Sequence, residues 1–254
     1  MSGHSHWAGI KYKKALVDAK KGKIFSKTAK RITLAAKTGG GDPDSNLELR
    51  YALDDARAAN MPKDNIDRAI KKGTGELPGQ MYEPAVYEGY GPHGVAIMVE
   101  ALTDNRNRTA SEIRKIFERH NGNLGESHCV SWMFERKGVL NVGAAGTSED
   151  DLMGVVLDAG AEDMQKVGDF SEVTTDPPSF HKVKASIEKA GYKIEQAVVR
   201  NEPKTAIDLD ADAARKVIKL IEALDDQDDV ESVSSNFNVS DEVMAALAAE
   251  EGAK

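Results

Sequence analysis

Seven carboxylates in two runs, Asp208, Asp210, Asp212 and Asp225, Asp226, Asp228, Asp229, are the residues here whose types could do chemistry. Clustered acids hold Mg²⁺ in metal-dependent nucleases, where the ion activates water and steadies the charge of phosphodiester cleavage. The spacing argues for plainer roles. The first run straddles the start of a helical pattern, where aspartate caps backbone N–H groups and suits the helix dipole. The second falls in a helix-to-strand loop and lacks the order of an EF-hand. No P-loop, dinucleotide fingerprint, HExxH or GxSxG is present. His128 and Cys129, read on a strand, would project to opposite faces. No catalytic residue, metal ligand or cofactor is expected, and the chain is not expected to be an enzyme.

The cations make a stronger pattern. Residues 1–38 carry Lys11, Lys13, Lys14, Lys20, Lys21, Lys23, Lys27, Lys30, Arg31 and Lys37 against the single acid Asp18. A merely solvated helix face mixes Glu with Lys, which gains i,i+4 pairs. A face of one sign suits phosphates, whose contacts release counterions and supply affinity without reading bases. The contrast extends further: residues 1–80 hold 16 Lys and Arg against 9 Asp and Glu, while the remainder holds 18 against 33. A polyanion-binding module on an acidic body is expected. Arg106 and Arg108 open a helix whose positive dipole end disfavours them, so an anion should compensate. That anion could be a phosphate or an acid of the body such as Glu100.

With 254 residues the chain is long enough for two or three domains. The lone Cys129 excludes an internal disulfide, and a reducing cytoplasm fits best. No apolar run follows the N-terminal charges and none approaches a membrane span, so neither a signal peptide nor a membrane partner is expected.

The elements that must position these groups begin with helices. Stops at Gly22, Gly39-Gly40-Gly41-Asp42-Pro43, Met61-Pro62 and Gly73-Thr74-Gly75 leave room for four, the first starting near Trp7. In the second, from about Lys23 to Lys37, Phe25, Ala29, Ile32 and Ala36 share one face, with Lys23, Lys27, Lys30, Arg31 and Lys37 opposite. Leu49, Leu53 and Ala56 should point inward from the third, and Ile66 and Ile70 from the fourth. After Tyr82, β-rich runs alternate with helices. Strands at Val139–Val142, Met164–Val167, Ser171–Thr175 and Ile194–Val199, with helices Ser148–Ala159 and Pro177–Ala190, make a ferredoxin-like βαββαβ unit. The flanks supply strands Val95–Ala101, Val130–Phe134, Thr205–Leu209 and Val230–Phe237 with helices Asn105–His120 and Ala211–Leu224, a second such unit split by the first. The class is therefore α+β: a basic helical domain (1–78), a split domain (79–136 with 203–240), an inserted domain (137–202) and a flexible or helical tail (241–254).

Many short words in order give a resemblance. Gly3-His4-Ser5-His6-Trp7, Asn60-Met61-Pro62-Lys63-Asp64-Asn65-Ile66, Tyr87-Glu88-Gly89-Tyr90-Gly91-Pro92, Thr103-Asp104-Asn105-Arg106-Asn107-Arg108-Thr109, Gly122-Asn123-Leu124-Gly125 and Val130-Ser131-Trp132-Met133-Phe134 are similar to the YebC/PmpR family. Mitochondrial relatives of that family are known as translational activators of cytochrome c oxidase. The resemblance implies three domains, one inserted into another, and cytoplasmic regulators without known catalysis, described both as DNA-binding transcriptional regulators and as ribosome-associated translation factors. Expected partners are thus DNA or ribosomal RNA, with transcription machinery or the ribosome; oligomeric state stays open. Two features tilt toward RNA: no helix carries evident base-reading residues, and the Asn60-Met61-Pro62-Lys63 corner looks suited to insertion. The sequence departs from the family at His93, where glycine is usual, and at Ser127-His128-Cys129.

Overall fold

The computed structural model describes residues 21–143, 148–167, 170–240 and 243. Packing divides these into two units, 21–130 with 210–233, and 131–209 with 234–240 and 243. The expected helix near Trp7, the sites Lys11, Lys13, Lys14 and Lys20, and the tail after Ser240, Val243 apart, lie outside the described residues.

The first unit opens with α1 (Lys21–Gly39), which starts two residues before the expected Lys23 and so includes Gly22. Its apolar stripe behaves as its spacing requires: Ile32 and Ala36 are buried, and Phe25 and Ala29 lean on the same core. The helix ends where Gly40 takes a left-handed φ of +86° and donates its N–H to the Ala36 carbonyl. Asn46 then caps α2 (Leu47–Ala58) by accepting from the Leu49 N–H, while its amide donates to the carbonyls of Ala35 and Gly40. Pro62 precedes α3 (Lys63–Gly73). Gly73 is required by contact: a Cβ there would stand 2.4 Å from the Thr33 carbonyl oxygen, so only glycine lets α3 close on α1.

The same unit holds a four-stranded sheet. β1 (Glu83–Tyr90) and β2 (Ala96–Thr103) form an antiparallel hairpin in register from Glu83↔Thr103 to Tyr90↔Ala96. Its turn places His93 at φ 61°, a left-handed conformation that suits glycine. α4 (Arg106–Arg119), β3 (Asn123–Leu124), α7 (Ala211–Asp225) and β9 (Val230–Ser235) complete it in the order β3-β1-β2-β9. Strand membership here differs from the sequence reading. Ser131–Met133 is a 3₁₀ turn, not a strand. The cause lies on β1: both carboxylate oxygens of buried Glu88 accept backbone N–H groups, from His128 and Val130, each at 2.9 Å. Those donors are then lost to any neighbouring strand, and β1 takes the place in the sheet.

The second unit matches its reading closely. β4 (Phe134–Gly143), α5 (Glu149–Ala159), β5 (Asp163–Val167), β6 (Phe170–Thr175), α6 (Phe180–Lys189) and β7 (Ile194–Pro203) follow one another. Their sheet has the antiparallel order β5-β6-β4-β7, which is the ferredoxin-like arrangement. Leu140, Val142 and Val173 meet Leu152 and Val156 of α5 and Val183 and Ile187 of α6 in one core. The run expected as strand Thr205–Leu209 shortens to β8 (Ile207–Asp208), which pairs in parallel with β10 (Phe237–Asn238) as a separate ribbon. The class is α+β, with a helical segment followed by two antiparallel four-stranded sheets. Among the described residues, no helix is long and apolar enough to cross a membrane.

Candidate nucleic-acid interface

Lys23, Lys27 and Lys30 recur at helical spacing on α1, and all three reach the turn between α7 and β9. Lys23 Nζ donates to the Asp226 carbonyl at 2.8 Å and lies 3.4 Å from its carboxylate. Lys27 Nζ donates to the Asp225 carbonyl at 3.2 Å. Lys30 Nζ donates to the Asp228 carbonyl at 2.9 Å and to the Asp229 carboxylate at 2.6 Å. α7 has no basic residue in its last turn. Its carbonyl-rich, negative end is met by the α1 lysines instead.

Asp229 is the centre of this contact. Besides Lys30 it accepts from Arg108 Nη2 at 2.6 Å and from the Thr109 hydroxyl at 2.7 Å. Burial alone would push its carboxyl up, but the hydrogen bonds from Lys30, Thr109 and Arg108 outweigh burial and hold it far below the usual carboxylate range. Lys30 is 8% exposed, and its ammonium stands 5.3 Å from the Tyr82 ring centroid. Expected on an exposed face, Lys30 is therefore buried, because the acidic loop supplies the anion that the sequence left to a phosphate. Nearby, Glu231 is largely buried and its Oε1 has no hydrogen-bond partner. Burial pushes its carboxyl up to about 7, although Arg31, Lys27 and Lys30 pull the other way.

The two arginines of α4 also find their anions within the chain. Arg106 Nε donates to Glu83 at 2.8 Å and its Nη2 to the Pro84 carbonyl. Arg108 bridges Asp229 and Asp104, the latter at 2.8 Å. Glu100, named as a candidate partner, accepts the Ser232 hydroxyl instead. Asn105 is the N-cap of α4, accepting from the Arg108 N–H. Of the remaining sites, Arg31 pairs with Asp55 at 2.7 Å with both side chains about half exposed, Lys37 is exposed in the last turn of α1, and Lys21 begins that helix.

The first acidic run divides among ordinary tasks. Asp210 caps α7 by accepting from the Ala213 N–H at 2.8 Å, Asp212 pairs with Arg215, and Asp208 accepts from the Asn238 amide. Among the described residues, no three His, Cys, Asp or Glu side chains converge as a metal site. Cys129 is partly buried, which pushes its thiol up. Met61, offered for insertion, packs in the helical core instead. Sequence reasoning missed Thr109, Tyr82 and Glu231 as members of this cluster; the signal available was the complementarity of three helix-spaced lysines and four acids in one loop.

A model of the TACO1/YebC N-terminal domain matches residues 5–76, and a model of the TACO1/YebC second and third domains matches residues 82–237. The chain belongs to the TACO1/YebC family. It is 54% identical over 97% of its length to the whole of a "Probable transcriptional regulatory protein" of Dictyoglomus turgidum. A protein of the same name from Geotalea uraniireducens is 52% identical over 96% of this chain and 98% of its own. The crystal structure of a conserved hypothetical protein from Aquifex aeolicus superposes with a TM-score of 0.84 at 49% identity, covering 93% of this chain and 98% of that one. The α+β architecture described above is thus that of the TACO1/YebC family.

Proposed function

We propose that this TACO1/YebC chain is a cytoplasmic, non-enzymatic regulator of gene expression that binds DNA. The observation carrying this reading is the basic tract, ten cations to one acid in residues 1–38 of a chain whose net charge is −8. The relatives named as probable transcriptional regulatory proteins support DNA as the polyanion. Because Lys30, Arg106 and Arg108 hold the chain's own carboxylates and Lys27 donates to the Asp225 carbonyl, phosphate contact falls to Lys11, Lys13, Lys14, Lys20, Lys21 and Lys37, with Lys23 and Arg31, whose own pairs are half exposed, beside them. The absence of turnover is supported by Asp229, whose oxygens are taken by Lys30, Arg108 and Thr109 and not left for Mg²⁺.

The test is binding of the full chain to labelled duplex DNA and to a ribosomal RNA fragment across a salt series. Replacing Lys11, Lys13, Lys14 and Lys20 by Gln should weaken DNA binding and flatten its salt dependence by roughly 0.9 per lost phosphate contact. Unchanged affinity and slope reject the tract as the contact, and a preference for the RNA replaces DNA-level by translational regulation.

A further inference from the structure

Helices α4 and α7 lie side by side, and the groove between them, about 370 Å³, is lined by Glu112, Lys115 and Arg119 from one and Ala223 and Asp226 from the other. The Gln227 amide donates to Glu112 at 2.8 Å, which pins the residues after α7 to the middle of α4. Charge in the groove is therefore polarised. Glu112 and Asp226 share one end. Toward the other lie Lys115 and Arg119, and Lys219 and Lys216 stand one and two turns before Ala223 on the same strip of α7. These four cations and Arg114 are exposed. Among the described residues, none of the five forms an ion pair, in contrast to Lys23 and Lys30 of α1. Glu118 is an exposed acid among them, Glu222 is half-buried between Lys219 and Asp226 along α7, and the exposed Asp212 already holds Arg215.

Helix electrostatics account for part of this only. Lys115 and Arg119 suit the C-terminal end of α4, but Lys216 and Lys219 lie in the middle of α7, where the dipole rewards no cation. A patch of net positive charge also runs against its surroundings, since residues 81–254 carry 18 basic residues against 33 acids.

We propose that the outer face of α4 and α7 is a second phosphate-contact surface, taking the backbone of double-stranded DNA. This rests on the DNA-binding reading above and assigns part of the contact to a face remote in sequence from the basic tract. A duplex fits better than a single strand because the patch offers only ammonium and guanidinium groups. Its one aromatic, Phe117, is fully buried, so no ring is presented for an unstacked base. Phosphate contacts position the protein and read no bases.

The experiment is fluorescence anisotropy of the full chain with labelled duplex DNA, single-stranded DNA and duplex RNA, between about 50 and 200 mM salt. The Lys115→Gln/Lys216→Gln/Lys219→Gln variant is compared with a charge-matched Lys182→Gln/Lys184→Gln/Lys189→Gln variant on α6. The α4/α7 variant should lose about 10- to 100-fold in duplex DNA affinity and about 2–3 in log–log salt slope, while the α6 variant stays within about threefold of wild type. If wild type binds and the α4/α7 variant binds equally well, or if both variants lose alike, this surface is wrong while the DNA-binding reading stands. Tighter binding of single strands or duplex RNA rejects the occupant chosen. No salt-dependent binding by wild type rejects both readings.

Discussion

The ammonium of Lys30 lies 2.6 Å from the carboxylate of Asp229, joining residues 199 apart in sequence, and both side chains are at least nine-tenths buried. A helix of the basic segment is thereby fastened to the turn that leads into an edge strand of the sheet. The fastening carries a penalty if half of it is removed, since a buried charge without its partner keeps its desolvation cost.

Asp229→Ala should therefore destabilise the first unit by about 3–5 kcal/mol, removing the carboxylate that Lys30, Arg108 and Thr109 share. Lys30→Met should cost less, because Asp229 keeps Arg108 and Thr109. Urea unfolding of both variants measures this, and equal losses would show that Lys30 and not Asp229 is the centre. Acid should act in the same direction as Asp229→Ala. A carboxyl held below its unfolded value of about 3.9 contributes stability above that pH, lost progressively as pH falls below it.

Glu231 predicts the opposite slope. Its native carboxyl keeps a proton up to about pH 7, whereas an unfolded glutamate releases it near 4.3. The native state binds the extra proton between those values, so stability falls as pH rises through that window, and the cost is complete above about pH 7. Glu231→Gln should remove the slope and raise stability at pH 8 by roughly 1–3 kcal/mol. Melting temperatures at pH 5.5 and pH 8 test it; a variant with the wild-type slope would locate the effect elsewhere, Glu172 being the other buried carboxyl pushed up to about 7.

Much of the fold was legible because periodicity reports burial. The Phe25, Ala29, Ile32, Ala36 stripe found its core, and the inserted unit appeared in its expected order, since Gly, Asp or Pro in the sequence punctuates the strands there. The failures share a cause. Val130–Phe134 has strand-like composition, yet a side chain forty-two residues earlier, Glu88, takes the Val130 N–H, and that of His128 just before it. Lys27 and Lys30 look solvent-facing by helical spacing, yet a loop about two hundred residues later meets them. Local pattern fixes which face is polar and cannot say whether water, phosphate or the chain's own carboxylates will meet it.

Glu88→Ala should expose this dependence on one side chain. Two backbone N–H groups lose charge-assisted bonds inside a buried setting, a cost of about 2–4 kcal/mol. Hydrogen exchange at His128 and Val130 should accelerate well beyond any change in α5 or α6; uniform acceleration would mean the carboxylate supports the whole chain and not that loop.

His93 offers a gain. A non-glycine residue in the left-handed region costs about 1–2 kcal/mol, partly offset by the roughly 0.5–1 kcal/mol of chain entropy that glycine loses on folding. His93→Gly should stabilise by about 0.5–1 kcal/mol, read as a higher urea midpoint at unchanged slope. A lower midpoint would show that the imidazole, exposed beside the hairpin turn, contributes more than its backbone costs.

Regulation through DNA is tested most directly by crosslinking the protein to nucleic acid in cells, sequencing what is attached, and following its sedimentation relative to ribosomes. DNA fragments should be recovered above background with the protein sedimenting apart from ribosomes, and recovery should fall for the Lys11→Gln/Lys13→Gln/Lys14→Gln/Lys20→Gln variant. Recovery of ribosomal RNA alone, with co-sedimentation, would contradict DNA as the target; no enrichment of any nucleic acid would contradict nucleic-acid binding itself.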